Sequence, residues 1–117
     1  MVVKMRKLLG TLLLLALVGY AGAQEIWVAP SIVREDAPVI VHVDATKIYR
    51  VMVFDKFGNL AFDKEFKPTE HQGMIEWWGE TNGGRKVDSG QYKLIVLEKD
   101  PSGYFAKKLD TWIAVFR

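Results

Sequence analysis

The chain has 117 residues, half of them hydrophobic, with 16 Lys and Arg against 14 Asp and Glu. This length is sufficient for one domain and leaves no room for a second. No Cys occurs, which excludes disulfide bridges and lipid attachment at a Cys, so packing alone must hold the fold together.

Residues 1–23 have the features of a signal peptide. Lys4, Arg6 and Lys7 form a basic start, residues 8–18 are apolar and Leu-rich, and Ala21-Gly22-Ala23 offers a small-x-small cleavage site before Gln24. A membrane anchor is the alternative, but the apolar run is shorter than the ~20 residues that cross a bilayer comfortably. We therefore expect an exported domain comprising residues 24–117.

The charge of that domain argues against nucleic-acid binding. Removal of the three cations in residues 1–23 leaves 13 Lys and Arg against 14 Asp and Glu, a net charge of −1. A nucleic-acid-binding domain is expected to keep a clustered basic surface.

The pattern beyond residue 24 is β almost throughout, without a convincing helical period. Predicted strands lie at residues 25–33, 38–44, 48–54, 60–66, 74–78, 91–99 and 107–116, and Pro30 interrupts the first. Val39, Val41 and Val43 are predicted to point inward, as are Leu60, Phe62, Ile75 and Trp77. About seven short strands separated by turns predict an immunoglobulin-like or fibronectin-III-like antiparallel β-sandwich.

Polar and Gly-rich segments separate the strands. Residues 67–73 are polar and are predicted to cross between the sheets. Gly79, Gly83, Gly84 and Gly90 are expected to supply positive φ in the two reversals before the strand at Tyr92.

Three motifs stand out in residues 51–96: Val51-Met52-Val53-Phe54-Asp55 with Gly58, Trp77-Trp78-Gly79, and Gly84-Arg85-Lys86-Val87-Asp88-Ser89-Gly90-Gln91-Tyr92. With these motifs, the stretch resembles the Ig-like module of flagellar hook-capping proteins and related C-terminal modules of secreted bacterial proteins, including type IX secretion sorting domains. The resemblance implies an Ig-like fold and a structural, sorting or anchoring accessory role. Two positions depart from the family pattern: Trp78 replaces an Asp, and Phe54 replaces a Tyr.

No catalytic, cofactor or metal site is predicted. Ser89, His71 and Asp88 contain the residue types of a hydrolytic triad, but a triad is defined by geometry and no motif surrounds them. Asp55, Asn59 and Asp63, or Glu80 with Asn82, lack the spacing of a Ca²⁺ loop, and turn formation explains them.

The remaining candidate is apolar surface. The strands at 91–99 and 107–116 carry apolar residues on both faces, although one face of an antiparallel sheet is usually polar. Either a neighbouring segment (strand 25–33, the crossover or the loop with Tyr104 and Phe105) covers the outer face, or that face binds a second copy or another protein. The candidate patch comprises Trp27, Trp78, Ile95, Leu97, Tyr104, Phe105, Trp112 and Phe116.

A glycan- or envelope-polymer-binding module is the alternative function. Trp77 is predicted to be core, whereas Trp78 points the other way. An exposed Trp78 together with Tyr104 and Phe105 would provide rings on which sugars stack. The leading interpretation is a non-enzymatic, exported Ig-like interaction module.

Overall fold

The computed structural model describes residues 25–117, so the predicted signal peptide lies outside the described residues. Eight strands and one helical turn make up this part of the chain: β1 Trp27–Val28, β2 Ile32–Val33, β3 Val39–His42, β4 Tyr49–Asp55, β5 Leu60–Phe66, α1 Pro68–His71, β6 Met74–Trp77, β7 Gly90–Lys99 and β8 Phe105–Val115. Within residues 25–117, no helix has the length and apolar character needed to span a bilayer.

The strands form two sheets. The large sheet has the order β2-β8-β7-β4-β5, and the small sheet has the order β1-β3-β6. All neighbouring strands are antiparallel except β2 and β8, which run parallel. The predicted all-β, Ig-like sandwich is therefore confirmed.

The predicted first strand is two strands that belong to different sheets. β1 pairs with β3 in the small sheet, whereas β2 pairs with β8 in the large sheet. Pro30 lies between them and has no N–H to donate to a ladder, so the chain leaves the first sheet there. The chain therefore has eight strands where the pattern suggested about seven.

The core lies between the sheets and is made of alternate residues from each long strand. Its fully buried side chains are Val33, Val39, Val41, Tyr49, Val51, Val53, Ile75, Leu94 and Val96. Val43 and Trp77 are also buried, so the predicted inward residues of the strands at 38–44 and 74–78 are confirmed. Apolar area removed from water is the main favourable contribution to folding.

Tyr92 connects the core to the turn that precedes β7. Its ring packs edge-on against Trp77, with centroids 6.0 Å apart. Its hydroxyl donates a hydrogen bond of 2.7 Å to the Asp88 carbonyl. A Tyr near the start of this strand that bonds backbone a few residues upstream is a hallmark of Ig-like sandwiches.

The prediction that Leu60 faces the core is wrong. Leu60 pairs with Phe54 and Phe62 pairs with Val53, so β5 has one extra residue, Ala61, in a bulge. A bulge of this kind shifts the alternation of side chains. Leu60 consequently lies on the outer side and is 51% exposed, while Phe62 packs against the core as predicted.

The polar crossover at residues 67–73 does connect the two sheets, but it contains the helical turn α1. The Lys67 N–H donates to the Glu70 carboxylate (2.8 Å), which caps the turn. His71, predicted to be a loop residue, is buried. Its Nε2 donates to the Lys47 carbonyl (2.7 Å), and its Nδ1 accepts from the Gly73 N–H (2.9 Å).

The reversal between β6 and β7 depends on Gly79 and Arg117. Gly79 has φ +77°, and a Cβ there would lie 2.5 Å from the Arg117 guanidinium. That guanidinium donates to the carbonyls of Gly79 (2.7 Å) and Val87 (2.9 Å). Gly84 and Gly90 also have positive φ as predicted, whereas Gly83 does not.

Candidate interaction surface

The outward face of the large sheet carries apolar residues from three adjacent strands. In one cross-strand row, Trp112 of β8 lies beside Lys93 of β7, which lies beside Phe54 of β4. In the next row, Ile95 of β7 lies beside Met52 of β4. We call this surface the large-sheet face; its apolar residues are Met52, Phe54, Leu60, Ile95, Leu97, Trp112 and Ala114.

This face is open in the part of the chain that the structure describes. Trp112 is 50% exposed, and Ile95 and Leu97 are only partly buried. The same strands bury Leu94 and Val96 completely on their other side. An antiparallel sheet with one solvated face normally alternates apolar and polar residues, so the apolar outer side is a departure.

Charged side chains around Trp112 hold it in a defined setting. The Lys93 ammonium lies 4.6 Å from the centroid of the Trp112 ring. The same ammonium contacts the Asp110 carboxylate at 3.0 Å, and the Lys107 ammonium contacts that carboxylate at 3.1 Å. The hydrogen bonds from Lys93 and then Lys107 lower the pKa of Asp110. The Trp112 ring is thus flanked by a group of three side chains, Lys93, Asp110 and Lys107, that are joined by ion pairs.

A second ion pair borders the face on the β5 side. Arg50 donates to both carboxylate oxygens of Asp63, at 2.8 Å from Nε and 2.6 Å from Nη2. The hydrogen bond from Arg50 lowers the pKa of Asp63. A two-point contact of this type fixes both side chains in orientation.

The free edge of β5 is covered by Asn82. The Asn82 side chain accepts from the Asp63 N–H and donates to the Asp63 carbonyl, both at 2.9 Å. These are the bonds that another strand would otherwise make, so Asn82 reduces edge-to-edge pairing at this position. The outward face, rather than this edge, is left available.

Phe116 and Ile32 extend the large-sheet face beyond β8. Ile32 of β2 pairs with Ala114, and Phe116 follows β8 with the Arg34 guanidinium 5.5 Å from its ring centroid. These residues line an open groove of about 470 Å³ whose other walls include Ser89, Gly90 and Gln91.

The other predicted patch residues do not all join this surface. Phe105 begins β8 and pairs with Lys99 at the far end of the sheet, and Tyr104 precedes it in a turn. Trp27 and Trp78 lie on the small sheet, on the opposite side of the sandwich. The predicted patch is therefore divided, with Ile95, Leu97 and Trp112 on the large-sheet face and Phe116 at its border.

The outer side of the small sheet forms a second group of exposed aromatic residues. Trp27 of β1 pairs with His42 of β3, which pairs with Met74 of β6. The Trp27 and His42 rings are stacked, with centroids 3.7 Å apart. Trp78 follows β6, and its indole N–H donates to the Glu76 carboxylate (3.2 Å). We call this surface the small-sheet face.

The residues of the imagined triad are not brought together. His71 uses both ring nitrogens in backbone hydrogen bonds at the end of the sandwich where β4 begins. The Ser89 hydroxyl accepts from the Arg117 N–H, next to the start of β7. β7 begins beside Asp55, at the far end of β4. The length of β4 therefore separates Ser89 from His71, about 20 Å at ~3.3 Å per residue.

The oxygen ligands considered for Ca²⁺ have other partners. Asp55 accepts hydrogen bonds from the N–H groups of Phe57 and Asn59 in the β4–β5 turn, and Asp63 pairs with Arg50. Asn82 is bonded to the Asp63 backbone. In residues 25–117 no group of three or more His, Cys, Asp or Glu side chains is placed to hold a metal ion.

Several residues of the large-sheet face were missed at the sequence level. Met52 and Phe54 alternate with the buried Val51 and Val53, so the alternation in β4 was sufficient to place them on the outer face. Leu60 required knowledge of the bulge. Lys93 and Asp110 carried no sequence signal, because their role depends on the pairing of β7 with β8.

Comparison with known proteins gives two structural likenesses. Neither a protein-family model nor a curated protein sequence matches the chain. Part of PorZ, an essential bacterial surface component of the type IX secretion system of Porphyromonas gingivalis, aligns with 79% of this chain at 25% identity and a TM-score of 0.52. Part of dimeric latent PorU from Porphyromonas gingivalis aligns with 78% at 17% identity and a TM-score of 0.56.

These likenesses concern a small part of each protein. The aligned region is 11% of PorZ and 9% of PorU, and the PorU match shows the fold alone. The wider part of the resemblance, a β fold shared with a type IX secretion component, is confirmed. The hook-capping assignment stays a prediction.

Proposed function

We propose that this chain is a non-enzymatic, exported Ig-like module that binds another protein through the large-sheet face. The observation that carries the proposal is Trp112, which stands half exposed on the outer side of a sheet whose other side forms the core, with Ile95 and Met52 in the adjoining row. Exposed, contiguous apolar surface on a soluble domain is characteristic of interaction sites.

The composition of the face supports a protein partner. Trp and Arg are the residue types that contribute most often to the energy of protein interfaces, and an anchor is typically surrounded by polar residues that exclude water. Trp112 is flanked by Lys93 and Asp110, and Arg50 borders the face.

The likeness to part of PorZ supports a setting at the bacterial cell surface, since PorZ is a surface component of a secretion system. Export would follow from the predicted signal peptide at residues 1–23. Within this setting, a sorting or anchoring accessory role is the narrower form of the proposal, and it rests on the resemblance of residues 51–96 to hook-capping and sorting modules.

The test compares Trp112→Ser with Phe57→Ser, a substitution of an exposed aromatic in the β4–β5 turn. We expect both variants to remain folded, because both rings are exposed. The pattern of chemical cross-links that the full chain forms in its native cells should change for Trp112→Ser and not for Phe57→Ser. Unfolding of Trp112→Ser, or identical cross-links in both variants, would contradict the proposal.

A further inference from the structure

The small-sheet face differs in chemistry from the large-sheet face. The strand residues that point outward there are Trp27, Ile40, His42, Met74 and Glu76, and Trp78 follows directly. Trp27, Met74 and Trp78 are exposed. Among these six residues, Glu76 has the only formal charge and no Lys or Arg occurs.

Trp27 presents a supported aromatic ring. It stacks on His42 with an angle of 10° between the ring planes and is nonetheless 50% exposed, so its second face is open. His42 is held in turn, because its Nε2 donates to the Ala29 carbonyl at 3.0 Å. In neutral His42 the Nδ1 atom is therefore a hydrogen-bond acceptor.

Trp78 presents a second ring on the same side. Its indole N–H donates to one Glu76 carboxylate oxygen, and the residue is 42% exposed. The other carboxylate oxygen keeps acceptor capacity. The two indoles are thus supported differently, Trp27 by the stacked His42 ring and Trp78 by the Glu76 carboxylate, which also offers a free acceptor oxygen.

The two indoles are separated by the length of the small sheet. Trp27 lies in the row of Met74, and Trp78 lies four residues further along, about 14 Å at ~3.4 Å per residue. Because β1 and β6 are also two strand spacings apart, about 10 Å, the two residues are about 17 Å from each other. A site with two rings at this distance accommodates an extended polymer, whereas one small molecule would not reach both rings. Indole faces stack on the apolar C–H faces of sugar rings, and acceptors beside them bind hydroxyl groups.

We propose that the small-sheet face binds an uncharged, hydroxyl-rich polysaccharide, with Trp27 and Trp78 stacked on separate sugar units and Glu76 accepting from hydroxyls. The Glu76 carboxylate disfavours anionic polymers; the Arg117 guanidinium near Trp78 is directed at backbone carbonyls. This site is separate from the large-sheet face and does not depend on it.

The test is affinity electrophoresis of the folded full-chain protein in gels that contain one polymer each: laminarin, hydroxyethylcellulose and galactomannan as uncharged probes, and alginate as the anionic probe. We expect at least one uncharged polymer to retard the protein and alginate not to do so. Trp27→Ala and Trp78→Ala should each weaken the binding at least tenfold. Phe57→Ala, a substitution of an exposed aromatic residue in the β4–β5 turn of the large sheet, should leave it unchanged.

The alternatives have distinct outcomes. Absence of retardation by all three uncharged polymers would overturn the proposal, as would stronger retardation by alginate or an equal loss in Phe57→Ala. Loss of a protein cross-link in Trp78→Ala without any polysaccharide binding would assign this face to a protein. Trp78 lies outside the strands, so its substitution keeps the test valid even where Trp27→Ala disturbs β1.

Discussion

The two sides of the large sheet use the same strands with opposite results. On the inner side, Val51 and Leu94 are completely buried against the small sheet. On the outer side, Met52 and Ile95 are apolar as well but only partly covered by their neighbours. Both sides carry apolar residues. Their burial differs because the small sheet packs against the inner side, whereas the outer side is open in the part of the chain that the structure describes.

This difference separates stability from binding. Full burial of a Leu or Val contributes about 1.5–3 kcal/mol relative to exposure, and the inner residues already receive that contribution on folding. The outer residues receive it in full only when a partner covers them. Their unburied apolar area is therefore available for association rather than for folding.

The largest effect is expected for neighbouring substitutions on opposite sides of β7. Leu94→Ala should lower the free energy of unfolding by about 2–5 kcal/mol, because it leaves a cavity in a packed core. Ile95→Ala should cost less than about 1.5 kcal/mol, because the site is partly exposed and little apolar area is lost. Chemical denaturation measures both, and equal losses would show that the two sides are not distinct.

A smaller effect is expected for Tyr92→Phe on the inner side. The substitution keeps the ring against Trp77 and removes the hydrogen bond to the Asp88 carbonyl. Loss of one such bond costs about 0.5–1.5 kcal/mol. Thermal or chemical unfolding of Tyr92→Phe beside Tyr104→Phe, an exposed Tyr in the β7–β8 turn, gives the comparison. Equal stability of the two variants would argue against a role of the Tyr92–Asp88 hydrogen bond in stability.

The smallest effect is expected for the ion pair on the outer side. Arg50 lowers the pKa of Asp63 below its ordinary value of 3.8, so the stabilisation is fully present above that value. It is lost as the pH falls from there through the lower pKa of the folded state. A double-mutant cycle with Arg50→Ala and Asp63→Asn should give about 0.2–1 kcal/mol near neutral pH and nothing after acidification. A coupling that persists in acid would contradict this assignment.

Alternation in the sequence was sufficient for most of the fold. It predicted the sandwich, the inward Val residues of β3 and the opposite directions of Trp77 and Trp78. It also indicated that β7 and β8 are apolar on both sides, which is the basis of the large-sheet face. Local patterns carry this information because side chains alternate strictly along a strand.

Features that depend on contacts between distant segments were not predictable in the same way. The bulge that turns Leu60 outward appears only when β5 is paired with β4. The burial of His71 depends on the Lys47 carbonyl, 24 residues earlier. The grouping of Trp27 with Trp78 requires the register of β1, β3 and β6, and the sequence had grouped Trp78 with Tyr104 and Phe105 instead.

The most direct test of the central claim measures folding and association on the same variant. For Trp112→Ser, the account predicts a free energy of unfolding within about 0.5 kcal/mol of the wild type, together with loss of the cross-linked partner or second copy. A large loss of stability would show that the ring belongs to the core. Unchanged association with unchanged stability would show that the large-sheet face is not the binding surface.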